Sequence, residues 1–241
     1  MTANSLVRAD GRLDESSSSV ITLMAEMDKL VGAMRGSTGL RTRRRNAHDV
    51  SILSLAEKTR WVAWREDETE GLRDADGEPR KRKVPYNPKS LFKARSNDPS
   101  TWGTRAESEK AARRLLAKGE TGGVGVQLGL LDDYAGMALC GLDLDSCRDP
   151  QTNTIEPWAS EVLRRFQSRT EISPGLQGLK VFFLLPAEDW KLLRLRTGDK
   201  ARVLWSRGNH CELALDLERR YYTVTDKIIL NRAGFAGGCL V

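Results

Sequence analysis

The chain has 241 residues, with 39 Lys and Arg against 33 Asp and Glu, giving a formal charge of +6 and a sequence pI near 9.2. That length holds one sizeable domain with extensions or two small ones, and the positive balance is compatible with a polyanionic partner. No apolar run is long enough to span a bilayer and residues 1–20 do not have the pattern of a signal peptide; the four cysteines form no Cys-x-x-Cys pair and have only His48 and His210 to join them. Together these exclude a membrane span and a structural zinc and favour a reduced, cytoplasmic protein.

Residues 1–56 combine a Ser run, one amphipathic spacing (Val20, Leu23, Met24, Met27, Leu30, Val31, Met34) and the basic cluster Arg41, Arg43, Arg44 and Arg45. This composition predicts a basic, partly disordered extension with a short helix. A folded α/β texture begins at residue 57. "RWVAWR" (60–65) predicts a strand, and the following charged stretch predicts a hairpin loop turning at Asp76-Gly77. In "KVPYNP" (83–88) Pro85 and Pro88 forbid a helix and favour an extended edge segment.

"DPSTWGTRAESEKAARRLLAKGETGG" (98–123) predicts a helix closing at Gly119. "VGVQLGLL" (124–131) and "AGMALCGLDLD" (135–145) predict two neighbouring strands across an Asp132-Asp133 turn. "EPWASEVLRRFQS" (156–168) predicts a second helix, with Pro157 in its first turn and Trp158, Val162, Leu163 and Phe166 on one side. "RTEISPGLQGLKVFFLLP" (169–186) and "HCELALDLERRYYTVT" (210–225) each predict strand, turn, strand. The succession argues for an α+β chain whose mixed sheet carries packed helices.

In "CGLDLDSC" (140–147), Leu142 and Leu144 point to one face of a strand and Asp143 and Asp145 to the other. Two carboxylates so placed suit a hard divalent cation and repel each other without one; the alternative is the solvated acidic face of an edge strand. Glu212 completes a three-carboxylate set if its strand lies beside the first, and such a set holds two Mg²⁺ or Mn²⁺ ions for phosphoryl or nucleotidyl transfer. His210 shares the strand face of Glu212. In "ISPGLQGLK" (172–180) the turn of Ser173, Gly175 and Gly178 offers backbone N–H groups to a phosphate, and Lys180 offers a positive charge; the alternative is an ordinary hairpin turn. Arg220 and Thr223 add further phosphate or sugar contacts.

The ordered parts "WVAWR", "KVPYNP", "DPSTW", "GVGVQLG", "GLDLDSC", "TEISPGLQGLKVFF" and "ELALDLERRYYTVT" resemble the primase-polymerase domain of the archaeo-eukaryotic primase superfamily, in its phage, plasmid and integrated-element form. The resemblance covers about residues 57–226. It implies an α+β primase-polymerase fold, with an RNA-recognition-like mixed sheet carrying the metal site and a small N-terminal α/β module. The domain is expected over 57–230, with 231–241 as a possibly truncated tail. The resemblance further implies metal binding by Asp143, Asp145 and Glu212. It assigns the nucleotide phosphates to Ser173, Gly175, Gly178 and Lys180, with Lys180 also in the catalytic set, and matches Arg220 and Thr223 to its "RyfTvT" segment. Three departures stand out: Lys180 replaces a common His, Gly175 and Leu176 stand where Ser and Gly are expected, and "TVTD" replaces "TVTG" with no helicase module after it.

The expected function is that of a DNA primase and DNA polymerase of a phage or mobile element, using two Mg²⁺ or Mn²⁺ ions. Its partners would be single-stranded or primer-template DNA, dNTPs or NTPs, and a helicase module or separate helicase. Lys81, Arg82, Lys83 and Tyr86 would track the template backbone and one base. Two alternatives remain: a catalytically degenerate nucleic-acid-binding domain, and a metal-dependent nuclease, the latter lacking the usual close Glu-x-Lys.

Overall fold

The computed structural model describes residues 52–73, 77–117, 119–131, 136–166, 168–207 and 211–230. The expected helix within 20–34, Arg41 to Arg45, Asp76, the Asp132-Asp133 turn, His210 and the 231–241 tail lie outside the described residues. The elements in chain order are β1 (Trp61–Arg73), β2 (Pro79–Tyr86), α1 (Arg105–Leu115), β3 (Gly122–Gln127), β4 (Gly129–Leu131), β5 (Met137–Asp145) and α2 (Pro157–Arg165). They continue with β6 (Arg169–Ile172), β7 (Leu179–Pro186), α3 (Ala187–Arg196), β8 (Arg202–Arg207), β9 (Cys211–Asp216), β10 (Tyr221–Val224) and β11 (Ile228–Leu230). The protein is α+β. Every pairing among the described strands is antiparallel, where the chain order predicts a mixed sheet.

One compact unit comprises Ile52–Gln127 with Arg219–Thr225, and its sheet runs β10-β3-β1-β2. Trp61, Val62, Ala63 and Trp64 are all buried, so the apolar start of β1 is its centre. The strand does not stop at Arg65. Glu66, Asp67 and Glu68 pair with Lys83, Arg82 and Lys81 of β2, so the stretch expected to be a loop forms a charged two-stranded arm. The backbone ladder holds this pair, with Asp67 also bound to Arg65 of its own strand and to the Tyr86 hydroxyl. β2 is an edge strand, as its prolines require.

Helix α1 begins with a capping box: the Glu107 N–H donates to the Thr104 hydroxyl, and the Thr104 N–H donates to the Glu107 carboxylate. It ends four residues before Gly119, where the Glu120 carboxylate takes the Ala117 N–H and starts a turn. Ala111 and Ala112 pack against Ala63, Val84 and Tyr86. Gly122 is required beneath this helix, because a Cβ there would lie 2.5 Å from the Trp64 carbonyl oxygen.

Among the described residues the second unit contains Leu128–Glu218 and residues 226–230, and its sheet runs β11-β6-β7-β5-β9-β8 with β4 also paired to β5. Two expected neighbourhoods are thereby corrected. The run 124–131 divides at Leu128: β4 neighbours β5 as expected, but β3 joins the first sheet; likewise β9 and β10 are not a hairpin but belong to different sheets.

Alternation gives the second sheet one apolar face. Ala138, Cys140, Leu142 and Leu144 of β5 join Val181, Phe183, Leu213, Leu215 and Val203 in one core with Ala159 and Val162 of α2 and Trp190 and Leu193 of α3. A Leu142→Ala truncation there would cost about 2–5 kcal/mol. Helix α3 carries Glu188 and Asp189 in its first turn and Arg194 and Arg196 in its last, matching the helix dipole. It buries Trp190 and Leu193 but exposes Leu192 and Leu195, so its apolar periodicity is weak and no helix was expected there.

Candidate active site

On the face of the second sheet opposite its helices, the same alternation sets the apolar Met137, Leu139 and Phe182 towards one end and charged residues towards the other. On β5, Asp143 stands opposite Lys180 of β7 on one side and Ala214 of β9 on the other; Asp145 stands opposite Glu212 of β9. Directly opposed residues have Cα atoms about 4.5–5.5 Å apart, so the register brings Asp143, Asp145, Lys180 and the backbone of Glu212 onto three adjacent strands. The Glu212 side chain lies outside the described set. Among the described residues no three acids, histidines or cysteines converge as a metal site.

Lys180 Nζ donates to Asp143 Oδ1 at 2.6 Å, with side chains 11% and 15% exposed. Asp145 is exposed. The donor chemistry is all oxygen and fits a hard divalent cation.

The expected phosphate turn lies beside these acids. Ser173 donates its N–H to the Gly178 carbonyl at 2.8 Å, and Ser173 Oγ accepts the Gly178 N–H at 3.2 Å. Leu176, not Gly175, takes the left-handed conformation, with φ of 65°. A Cβ at Gly175 would meet nothing within 4 Å, whereas one at Gly178 would lie 2.8 Å from the Leu144 carbonyl oxygen and 3.4 Å from Asp145 Oδ1. Packing within the chain therefore demands glycine at 178, while no protein atom constrains residue 175.

Sequence reasoning missed Arg148, Arg169 and Glu171. Arg148 donates to the Leu176 carbonyl at 2.6 Å and also bonds Asn153; the N–H groups of Cys147 and Arg148 both reach the Gln177 carbonyl at 2.9 Å. The segment after β5 thus holds the turn after β6. Glu171, 1% exposed, stands opposite Lys180 in register. Its carboxylate accepts from Arg169 Nε at 2.7 Å and from the Asp226 N–H at 3.2 Å, and Arg169 also pairs with Asp226 at 2.9 Å. The period-two spacing of Arg169 and Glu171 was the available signal for this polar row.

Cys140 and Cys147 are both buried, which disfavours their thiolate forms. Burial is the main reason the Cys147 thiol is pushed up to about 12, and burial pushes up Cys140 as well.

The remaining expected contacts lie in the four-stranded unit. Arg220 is exposed before β10, and Thr223 is buried opposite Gly125. Lys81, Arg82 and Lys83 are exposed on the arm, each opposite an acid. Tyr86 corrects its expected role. Its ring is 6% exposed and packs against Ala63 and α1, its hydroxyl donates to Asp67 at 2.5 Å, and it offers no surface for a base.

An α+β chain with antiparallel sheets and paired aspartates on one sheet face is compatible with a primase-polymerase domain, and similarity to a phage protein supports that class, in its phage type. The relative is the DNA Primase-polymerase of Nitratiruptor phage NrS-1, 31% identical over 131 residues, which is 54% of this chain and 15% of the relative. The matched stretch is therefore a small part of that longer protein. No protein-family model matches this chain. No helix among the described residues is long and apolar enough to cross a membrane.

Proposed function

We propose that this chain is a DNA primase and polymerase domain that transfers nucleotides under template direction in the replication of a phage or other mobile element. The observation that carries the reading is the register of β5, which sets Asp143 beside Lys180 and Asp145 beside Glu212 on one sheet face. The connection order also supports it. β5, α2, β6, β7, α3 and, after the added edge strand β8, β9 supply the β-α-β-β-α-β pattern, with spatial order β6-β7-β5-β9, like the RNA-recognition-like sheet that the family resemblance implies.

Asp143, Asp145 and Glu212 would hold two Mg²⁺ or Mn²⁺ ions, which when bound stabilise the attacking and leaving oxygens of the transfer. Lys180 carries three N–H donors, enough to hold Asp143 and a triphosphate oxygen together. Ser173 accepts the Gly178 N–H and keeps its own O–H for a phosphate. Charge placed in advance at fixed positions is the main catalytic resource of such a reaction. The nucleotide would be a dNTP or NTP, the template single-stranded or primed DNA, and any helicase a separate chain or module.

Primer extension with Mg²⁺ or Mn²⁺, compared with Asp143→Asn and Asp145→Asn, tests the proposal. Incorporation by the native chain and a loss of at least about hundredfold in both variants is expected. A folded, DNA-binding chain that never incorporates a nucleotide would overturn it in favour of a second reading, a degenerate binding domain. The Asp143–Lys180 ion pair favours that reading, because it neutralises Asp143 without a metal. Triphosphate-independent shortening of the template would instead point to a nuclease.

A further inference from the structure

We propose that the loop of residues 87–95 is a single-stranded nucleic-acid contact, with Phe92 stacking on a base and Lys89, Lys93 and Arg95 meeting phosphates. The inference goes beyond the Asp143 site, and it rests on the proposed function only for the choice of DNA as the probe.

Phe92 is 77% exposed, the most exposed large apolar side chain among the described residues. Its position is built. The Asn87 N–H donates to the Phe92 carbonyl at 2.8 Å and the Leu91 N–H to the Asn87 carbonyl at 2.9 Å. Asn87 Oδ1 takes the Lys89 N–H at 2.9 Å, and Ser90 Oγ takes the Phe92 N–H at 3.3 Å. Leu91 adopts φ of 61° and packs on the core of Ala63, Val84 and Tyr86. The backbone inversion at Leu91 thus seats one apolar side chain inside and turns the next one out.

Both ends of the loop are anchored. The Ala94 N–H donates to the Pro85 carbonyl at 2.8 Å, Tyr86 and Lys93 form a β-bridge, and Trp102 Nε1 donates to the Arg95 carbonyl at 2.8 Å. An aromatic ring held in water by so many backbone bonds forgoes the burial a core position would give it.

Charge decides the partner. Lys89, Lys93 and Arg95 are exposed, and no acid is present between Asn87 and Arg95. Among the described residues none of the three cations forms a salt bridge, and only the longer-range charges of Glu107 on Lys89 and of Asp67 on Lys93 bear on them. A lone ring ringed by cations lacks the contiguous apolar area of a protein-docking patch. It has what an unpaired strand requires: a flat surface for a splayed base and positive charge for the adjoining phosphates. A duplex keeps its bases stacked and gives the ring nothing to cover.

The test is fluorescence anisotropy of the full chain with a labelled oligodeoxythymidine across a salt series. Phe92→Ala is expected to weaken binding by at least about fivefold, and Phe92→Trp to retain it, since stacking needs any aromatic face. The triple substitution Lys89→Ala, Lys93→Ala, Arg95→Ala is expected to flatten the log–log salt slope by about 2, at about 0.7 per phosphate contact. A bromodeoxyuridine crosslink in the native chain should map to the peptide carrying Phe92. Native-like binding by both Phe92→Ala and the triple variant, crosslinks only elsewhere, or affinity for acidic peptides without affinity for single-stranded DNA would overturn the inference. Its failure is separable from that of the polymerase reading. A chain that binds through Phe92 but never incorporates nucleotides sinks only the latter, and one that incorporates them with Phe92 irrelevant to binding sinks only the former.

Discussion

Lys180 and Asp143 face each other across β7 and β5, their charged atoms 2.6 Å apart and both side chains largely shielded from water. Removing the ammonium leaves a shielded carboxylate without its partner, and hydrogen bonds to charged groups are worth about 1.5–3 kcal/mol. Lys180→Met should therefore lower unfolding free energy by about 2 kcal/mol in the absence of metal, read by urea denaturation. Added Mg²⁺ or Mn²⁺ should recover part of that loss if a cation binds Asp143, because a ligand of the folded state alone stabilises it. An unchanged urea midpoint in Lys180→Met would mean the pair contributes nothing.

The turn after β6 places its conformational strain on Leu176 rather than on Gly175. Leu176→Gly should be neutral to stabilising by about 1 kcal/mol, as relief of the left-handed conformation offsets the greater freedom of glycine in the unfolded chain. Gly175→Ala should stabilise by about 0.4–1 kcal/mol for the converse reason. Thermal denaturation of both variants decides it; a large destabilisation by Gly175→Ala would show that the turn uses residue 175 as the family pattern implies.

Gly178 has no such latitude. The Cβ of Gly178→Ala would press on the Leu144 carbonyl, a backbone atom of β5, and on Ser173 Oγ, at 2.8 and 3.1 Å. A cost of about 1–3 kcal/mol is expected, along with a raised KM for nucleotide if the turn receives the triphosphate. Steady-state kinetics beside a urea titration separates the two effects, and wild-type values in both would contradict the close packing.

Glu161 supplies a pH dependence. The hydrogen bonds from Arg164 foremost, and then Arg165, hold its carboxyl down to about 2, against an ordinary value of 4.5. A group whose folded pKa is depressed contributes stability that is present above the unfolded value and lost as pH falls toward the folded one. The native chain should therefore lose stability relative to Glu161→Gln between about pH 4.5 and pH 2. The carboxylate is 41% exposed, so the effect is small and weakens with salt. Urea midpoints for the two proteins at about pH 6 and pH 2.5 test it, and a constant difference between them would refute it.

Much of the candidate site was legible in the residues because alternation is a local property. Leu142 and Leu144 had to face one way and Asp143 and Asp145 the other in any sheet, and the Ser173–Gly178 bend followed from Ser173 and two glycines between β-rich runs. Local signals also specified α1, through its run of Ala, Leu and Arg, and α2, through Pro157. Helix α3 was not legible, since a stripe of only Trp190 and Leu193 among exposed leucines leaves little periodicity. Arg148 escaped notice because its partner, the Leu176 carbonyl, is a backbone atom 28 residues away.

By itself the sequence determined which side chains share a strand face, where the strongest helices start, and an order of motifs sufficient to suggest a phage-type primase-polymerase. Only the tertiary structure decided which strands are neighbours. It put Lys180 against Asp143 and Glu212 against Asp145, sent β3 and β10 to one sheet and β4 and β9 to another, buried Tyr86 under α1 and turned Phe92 outward. The reason is physical: a period of two is the same in every sheet, whereas register and neighbour choice are set by contacts between residues far apart in the chain.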